Sequence, residues 1–269
     1  HTKRYLAVLE QRGFTVSMVR HQDIAWDLIS KYNTLVFASV PNWNDKEQKP
    51  TEEWKKSVLL LRRYLDEGGG ILMTDWPGPF RYSSLMHFLG PYGFTRLTDS
   101  VHNAEGIAAT QIKLRYATTT SVIESPVTKG ITRIWYPVYH DPAHVWYPTT
   151  DAFAVDKSWS VVLHGGPSSY SKPHSYGFES VDRHMRKKGV AENVPLYAIR
   201  ELPSGGRLAF CAINAPYTFM GGLAPGHEMI VLEKGLLDQP SHMGKLLLNT
   251  YHWLSAPSLR SEKLGGGTH

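Results

Sequence analysis

Apolar residues in the first third of the chain alternate between helical spacing and short continuous runs. The helical spacing predicts helices over residues 2–11, 23–32 and 52–65, and the runs predict strands over residues 14–19, 35–38 and 71–74. Strands that alternate with helices of this length favour a parallel sheet covered by helices on both faces. In such a sheet, ligands bind beyond the carboxyl ends of the strands, in the loops that follow them.

The pattern changes after residue 100, where shorter, aromatic-rich segments with many prolines follow. Later elements are a buried strand over residues 159–163, a hairpin over residues 195–200 and 206–213, and a helix over residues 241–254. The polar stretch over residues 165–194 is too long for an ordinary connection and is typical of a functional loop. We assign one domain to residues 1–255 and a flexible tail to residues 256–269.

Composition narrows the class of protein. The 269 residues are 42% hydrophobic and 20% charged, which suits a globular core and excludes a disordered chain. No uninterrupted apolar stretch reaches about 18 residues, so we expect no membrane span. The formal net charge is +5, and the basic run over residues 183–188 has no aromatic residues between its charges, so we expect no nucleic-acid partner. The composition is compatible with the cytosol and with the cell exterior.

Several segments, in order, resemble one known superfamily. They are Arg12–Val16 after the first helix, Leu65–Leu72, Ser125–Ile131, Gly206–Leu208 and Asn249–Leu254. Together they are similar to the class I glutamine amidotransferase-like superfamily, in particular its trehalose-utilisation (ThuA-like) branch, over most of residues 2–255. The resemblance implies a flavodoxin-like α/β fold, with a mostly parallel sheet and helices on both faces, and a carbohydrate-related role.

Two departures from that superfamily affect the interpretation. Its members begin with a central strand ahead of the first helix, so the first strand is apparently missing from this chain. We therefore expect a fragment of a larger polypeptide, or a partner segment that completes the sheet, because an inner gap leaves backbone groups unpaired on both sides. True amidotransferases also carry a cysteine nucleophile on a sharp turn after a strand, and the matching turn here, Thr74–Gly78, has no cysteine.

The single cysteine, Cys211, lies in an apolar run that is typical of a buried strand, so we interpret it as a small buried side chain. One cysteine also excludes an intramolecular disulfide and a zinc site with several cysteine ligands. Gly68–Gly70 precedes its strand, whereas a nucleotide-binding glycine loop follows one. We therefore expect neither amidotransferase chemistry nor a nucleotide cofactor.

Candidate ligand-binding residues follow the predicted strands. Asp75 could act as a base or orient a hydroxyl group, and Trp76 could stack on a sugar ring; alternatively, Asp75 caps the next helix. Trp43 follows the preceding strand and would face the same crevice, unless it belongs to an ordinary loop. His164 and Asn214, each at the end of a predicted strand, could donate hydrogen bonds to a ligand.

The segment His140–His144 carries two histidines four residues apart with an aspartate between them. A helix would let the two imidazoles share a metal ion, but Pro142 and the surrounding aromatic residues favour an irregular segment. Hydrogen bonding to a substrate and a structural role are the alternatives. We predict no metal site.

These residues lead to two hypotheses of different class. In the first, a carbohydrate-related ThuA-like domain binds a carbohydrate or another small polar ligand, and Asp75 with His140 or His144 performs acid–base catalysis on a sugar or keto-sugar. In the second, the chain is a non-catalytic interaction or structural domain of a larger carbohydrate-active or assembled protein. Neither hypothesis requires a cofactor.

Overall fold

The computed structural model describes residues 2–38, 40, 43–44, 49–74, 82–105, 107–109, 115–138, 150–173, 190, 192–214, 218–219 and 229–261. The α-helices in this part of the chain are α1 (Thr2–Gln11), α2 (Trp26–Ile29), α3 (Glu52–Asp66), α4 (Tyr82–Leu89) and α5 (Met243–Ser261). The strands are β1 (Thr34–Phe37), β2 (Trp43–Asn44), β3 (Lys49–Pro50), β4 (Gly70–Thr74), β5 (Phe94–Asn103), β6 (Ile107–Ala109), β7 (Arg115–Thr119), β8 (Ile134–Pro137), β9 (Asp151–Val155), β10 (Ser160–His164), β11 (Ser169–Pro173), β12 (Pro195–Glu201) and β13 (Arg207–Cys211).

The largest sheet has five strands in the order β1-β4-β13-β12-β10. Parallel pairing joins β1 to β4 and β4 to β13, whereas β12 pairs antiparallel with both β13 and β10. The strand pairs of three smaller sheets, β11-β5-β9, β6-β7-β8 and β2-β3, are all antiparallel. The expected flavodoxin-like fold with a mostly parallel sheet is therefore wrong. The strand–helix alternation of the first third does not continue, and the β12–β13 hairpin introduces opposite strand directions.

No gap lies between β1, β4 and β13 in the large sheet. The expectation that a strand is missing from the chain, or that a partner segment completes the sheet, stays a prediction. β4 pairs directly with β1 on one side and with β13 on the other, so the ladder is continuous across the parallel part of the sheet. The sheet ends at β1 on one side and at β10 on the other. An isolated bridge from Val122 to Leu163 adjoins β10, whereas no described strand or bridge adjoins the outer edge of β1.

Several local elements form where the sequence pattern predicts them. In α3, Thr51 Oγ1 accepts a hydrogen bond from the N–H of Trp54 at 3.2 Å, and two glutamates occupy the positive end of the helix dipole. Residues 14–19 form no strand, because a strand requires a neighbour and no described strand pairs with them. Helix α5 continues through Pro257 to Ser261, so residues 255–261 are helical.

The side chains of the large sheet alternate between two cores. Leu72, Ala209 and Cys211 belong to the core that includes buried residues of α5, whereas Met73 and Phe210 belong to the core that includes buried residues of α3 and α4. This alternation has the period of two that a β-strand imposes. Helix α5 therefore packs on one face of the sheet, and α3 and α4 pack on the other.

Helix α5 packs so closely on the sheet that it leaves no space for a side chain at Gly70. A Cβ added at Gly70 would lie 2.6 Å from the Cβ of Leu254 and closer still to its carbonyl oxygen. One helical turn earlier, Thr250 Oγ1 accepts a buried hydrogen bond from the Tyr197 hydroxyl at 2.9 Å. The glycine run before β4 and the segment Asn249–Leu254, which both carried the family resemblance, therefore contact each other in the core.

We predict that Gly70→Ala lowers the free energy of unfolding by about 2 kcal/mol, because the added methyl group must displace the backbone of α5. Urea denaturation monitored by circular dichroism measures this change. Gly90→Ala is the matched control: its nearest new contact is the Met86 methyl carbon at 3.4 Å, so its effect should stay within about 0.5 kcal/mol. Equal effects of the two substitutions would contradict the close approach of α5.

Candidate functional site

Buried polar side chains gather where β4 and β13 end. Thr74, the last residue of β4, lies opposite Cys211, the last residue of β13. Thr218 Oγ1 lies 3.7 Å from Cys211 Sγ and donates a hydrogen bond to the carbonyl oxygen of Ile213 at 2.6 Å. The side chain of Asn214 is fully buried, and the backbone carbonyl oxygen of Asn214 accepts a hydrogen bond from the backbone N–H of Thr218 at 3.0 Å. We call Thr74, Cys211, Asn214 and Thr218 the carboxyl-edge cluster.

A buried ion pair adjoins this cluster. Arg96 Nη2 on β5 lies 3.1 Å from Asp151 Oδ2 on β9, and each side chain is only 4% exposed. The N–H of Asp151 donates to the carbonyl oxygen of Ala212 at 3.1 Å, which attaches the pair to the chain just after β13. The ion pair joins β5 to β9, and removing one partner typically costs about 3–5 kcal/mol because the other charge is left buried and unpaired.

A second buried carboxylate is held in a similar way. Ser171 Oγ donates to Asp99 Oδ2 at 2.8 Å and accepts the N–H of Val190 at 2.8 Å. Both side chains lie on paired strands, β11 and β5. These buried polar groups therefore use one another as partners and join distant parts of the chain.

Cys211 is not a nucleophile in this environment. Its side chain is fully buried, and this burial raises the pKa of the thiol to about 12. A thiol with such a pKa stays protonated at neutral pH, whereas the thiolate is the reactive form. The interpretation of Cys211 as a small buried side chain is confirmed.

His164 lies at the same edge of the sheet as the carboxyl-edge cluster. β10 and β13 point in the same direction because both are antiparallel to β12, and His164 is the last residue of β10. One strand separates β10 from β13, which corresponds to about 10 Å between them. His164 is half-buried, and this burial lowers the pKa of its imidazole, so the ring is neutral at pH 7.

The structure thus brings two of the predicted ligand-binding residues, His164 and Asn214, to one edge of the sheet. Trp43 lies on β2, and the β2–β3 hairpin packs beside α4. The structure describes the backbone of Trp43 but not its side chain. Asp75, Trp76, His140 and His144 lie outside the described residues. Their predicted roles, including acid–base catalysis, stay predictions.

Sequence reasoning missed the Arg96–Asp151 pair and the Asp99–Ser171 contact. Partners 55 and 72 residues apart in the chain share no spacing that a sequence pattern could reveal. The sequence signal that could have indicated them is the presence of charged residues, Arg96 and Asp99 on β5 and Asp151 on β9, within strands that also contain apolar residues. In the described part of the chain, no group of three or more histidine, cysteine, aspartate or glutamate side chains is arranged to hold a metal ion.

Of the helices described, none has the length and hydropathy needed to cross a membrane. No protein-family model matches the sequence, and no curated protein matches it. Solved structures do match, among them the mmIFT52 N-terminal domain, with a TM-score of 0.60 and 17% identity over 94% of this chain and 90% of that one. The cytoplasmic protein STM3548 from Salmonella typhimurium is 14% identical, with a TM-score of 0.48 over 93% of this chain and 85% of that one.

At 17% identity, the likeness to the mmIFT52 domain shows a shared fold alone. Neither structure is described as a ThuA-like protein, a glutamine amidotransferase or a carbohydrate-binding protein. The comparisons therefore give no support to a carbohydrate or amidotransferase assignment.

The lowered pKa of His164 predicts a pH dependence of stability. The folded chain binds fewer protons at this site than the unfolded chain, so this contribution to stability is complete above about pH 6.5 and falls as the pH decreases below that value. His164→Gln removes the titrating group. We expect the melting temperature of the native chain to fall more than that of His164→Gln between about pH 7.5 and about pH 5. Equal falls in the two chains would contradict this assignment.

Proposed function

We propose that this chain is a non-catalytic interaction domain that binds an extended strand of a partner polypeptide along the outer edge of β1. The observation that carries the proposal is the backbone of β1, which pairs with β4 on one side and has no neighbouring strand on the other among the described residues. A strand with one unpaired edge is a template for another strand.

The hydrogen-bond pattern identifies the groups that point outward. The N–H of Gly70 donates to the carbonyl oxygen of Asn33 at 3.3 Å, and Thr74 Oγ1 donates to the carbonyl oxygen of Phe37 at 3.4 Å. Backbone groups of a strand point alternately to its two neighbours. The N–H and C=O groups of Thr34 and Val36 therefore point away from β4, toward the unpaired edge.

The side chains at this edge favour an apolar partner. Leu35 and Phe37 pack against the core around α3, while Val36, on the opposite face, is 45% exposed. Thr34 Oγ1 is buried and has no hydrogen-bond partner among the residues that the structure describes. β1 contains no charged residue and no proline, although natural edge strands use both to prevent pairing. We therefore expect the partner strand to carry apolar side chains on both faces.

The chain before β1 supplies further exposed apolar surface. Among the described residues, four of the eight largely exposed apolar side chains belong to the first 36 residues: Val8, Met18, Val19 and Val36. Residues 14–20 form neither helix nor strand, although Phe14 and Val16 pack against the core. These residues add exposed apolar side chains to the segment before β1, although singly exposed apolar residues are normal on a protein surface.

A substitution at Val36 can block strand addition without disturbing the fold. Val36→Pro removes an N–H group that points away from β4, and proline is tolerated on the outward side of an edge strand. Val36→Thr is the matched control, because it keeps the N–H group and the branched shape. We expect peptides selected for binding to the native chain from a displayed library to bind Val36→Pro at least tenfold more weakly and Val36→Thr within about threefold.

Hydrogen exchange shows where on the chain the peptide binds. In the native chain alone, the N–H of Val36 should exchange much faster than that of Leu35, which points toward β4, and a bound peptide should protect it. Melting temperatures of both variants report whether the fold is intact. Failure to select any peptide, equal binding to a folded Val36→Pro, or protection confined to other elements would each refute the proposal.

A further inference from the structure

A groove separate from the β1 edge lies along the turn that precedes β8. Its volume is about 670 Å³, which is within the usual range for small-molecule sites. Val122, Pro126 and Ile131 form apolar parts of its wall, and Ser125, Thr128 and Lys129 form polar parts. The groove is thus amphipathic and open to a ligand of small organic size.

The turn that lines the groove is held in one conformation. Thr128 Oγ1 donates to the carbonyl oxygen of Ile123 at 2.7 Å. From α5, Asn249 Nδ2 donates to the carbonyl oxygens of Val127 and Lys129, each at 3.0 Å. A site whose backbone is fixed before binding loses less entropy when the ligand arrives, so this turn is preorganised.

Two lysines lie at the turn. Lys129 lines the groove, and the side chain of Lys245 lies over Gly130: a Cβ added there would come within 3.1 Å of Lys245 Cε and closer still to its Nζ. Gly130 has a φ of +70°, so the turn itself favours glycine at this position. Neither lysine forms an ion pair with any residue in the described ranges. Both charges are therefore available to an anion.

We propose that this groove binds a small organic phosphate, with the phosphate group between Lys129 and Lys245 and the organic part against the apolar wall. Phosphate suits the site because lysine binds it as a point charge and hydroxyl groups such as that of Ser125 can add hydrogen bonds. Glu124 also lines the groove and opposes an anion. The negative charge of Glu124 should weaken phosphate binding, so removing that charge tests the proposal independently of the two lysines.

Phenyl phosphate is the probe for the complete site, and inorganic phosphate is the probe for its charged part alone. At constant ionic strength, we expect saturable binding of both by calorimetry, with phenyl phosphate bound several-fold more tightly because its ring contacts the apolar wall. The double variant Lys129→Gln/Lys245→Gln should weaken binding of phenyl phosphate at least tenfold, and Glu124→Gln should strengthen it several-fold.

The matched control is Lys56→Gln. Lys56 lies on α3, which packs on the opposite face of the sheet from α5, so this substitution should leave binding unchanged. Melting temperatures of all variants confirm that they are folded. Equal affinities for the two probes would overturn the role of the apolar wall. No saturable binding, or equal losses in the double variant and in Lys56→Gln, would overturn the site.

Discussion

The contact between helix α5 and the central strand β4 is the constraint on which the rest of the structure depends. Because Gly70 has no side chain, Leu254 can rest directly on the backbone of β4. From this position, α5 also bonds to β12 through Thr250 and holds the turn after Ile123 through Asn249. One helix therefore fixes the sheet and the wall of the proposed phosphate groove together.

The polar groups of this molecule fall into two classes, and the difference between them suggests the function. Those near the carboxyl ends of the strands, such as Arg96 with Asp151, are buried and bonded to one another. Satisfied groups of this kind hold a fold together, and Cys211 among them is protonated. The backbone groups of Val36 at the outer edge of β1 have no strand to pair with in the described part of the chain. The proposed interaction role rests on this second class.

The family resemblance and the structure agree on local features and differ on architecture. The segments Leu65–Leu72 and Asn249–Leu254 contact each other where α5 packs closely on the sheet. Residues 14–19 have the composition of a strand and form none, because strand formation needs a partner that composition cannot supply. Similar local segments therefore do not establish a flavodoxin-like fold.

The sequence by itself determined what depends on neighbours along the chain. It placed α1, α3, β4 and the β12–β13 hairpin, it predicted a buried Cys211, and it located His164 and Asn214 at strand ends. Only the tertiary structure decided the direction and order of the strands, the open edge of β1 and the Arg96–Asp151 pair. Spacing and capping act over a few residues, whereas strand pairing and buried ion pairs join residues far apart in the chain, whose choice depends on the packing of the whole domain.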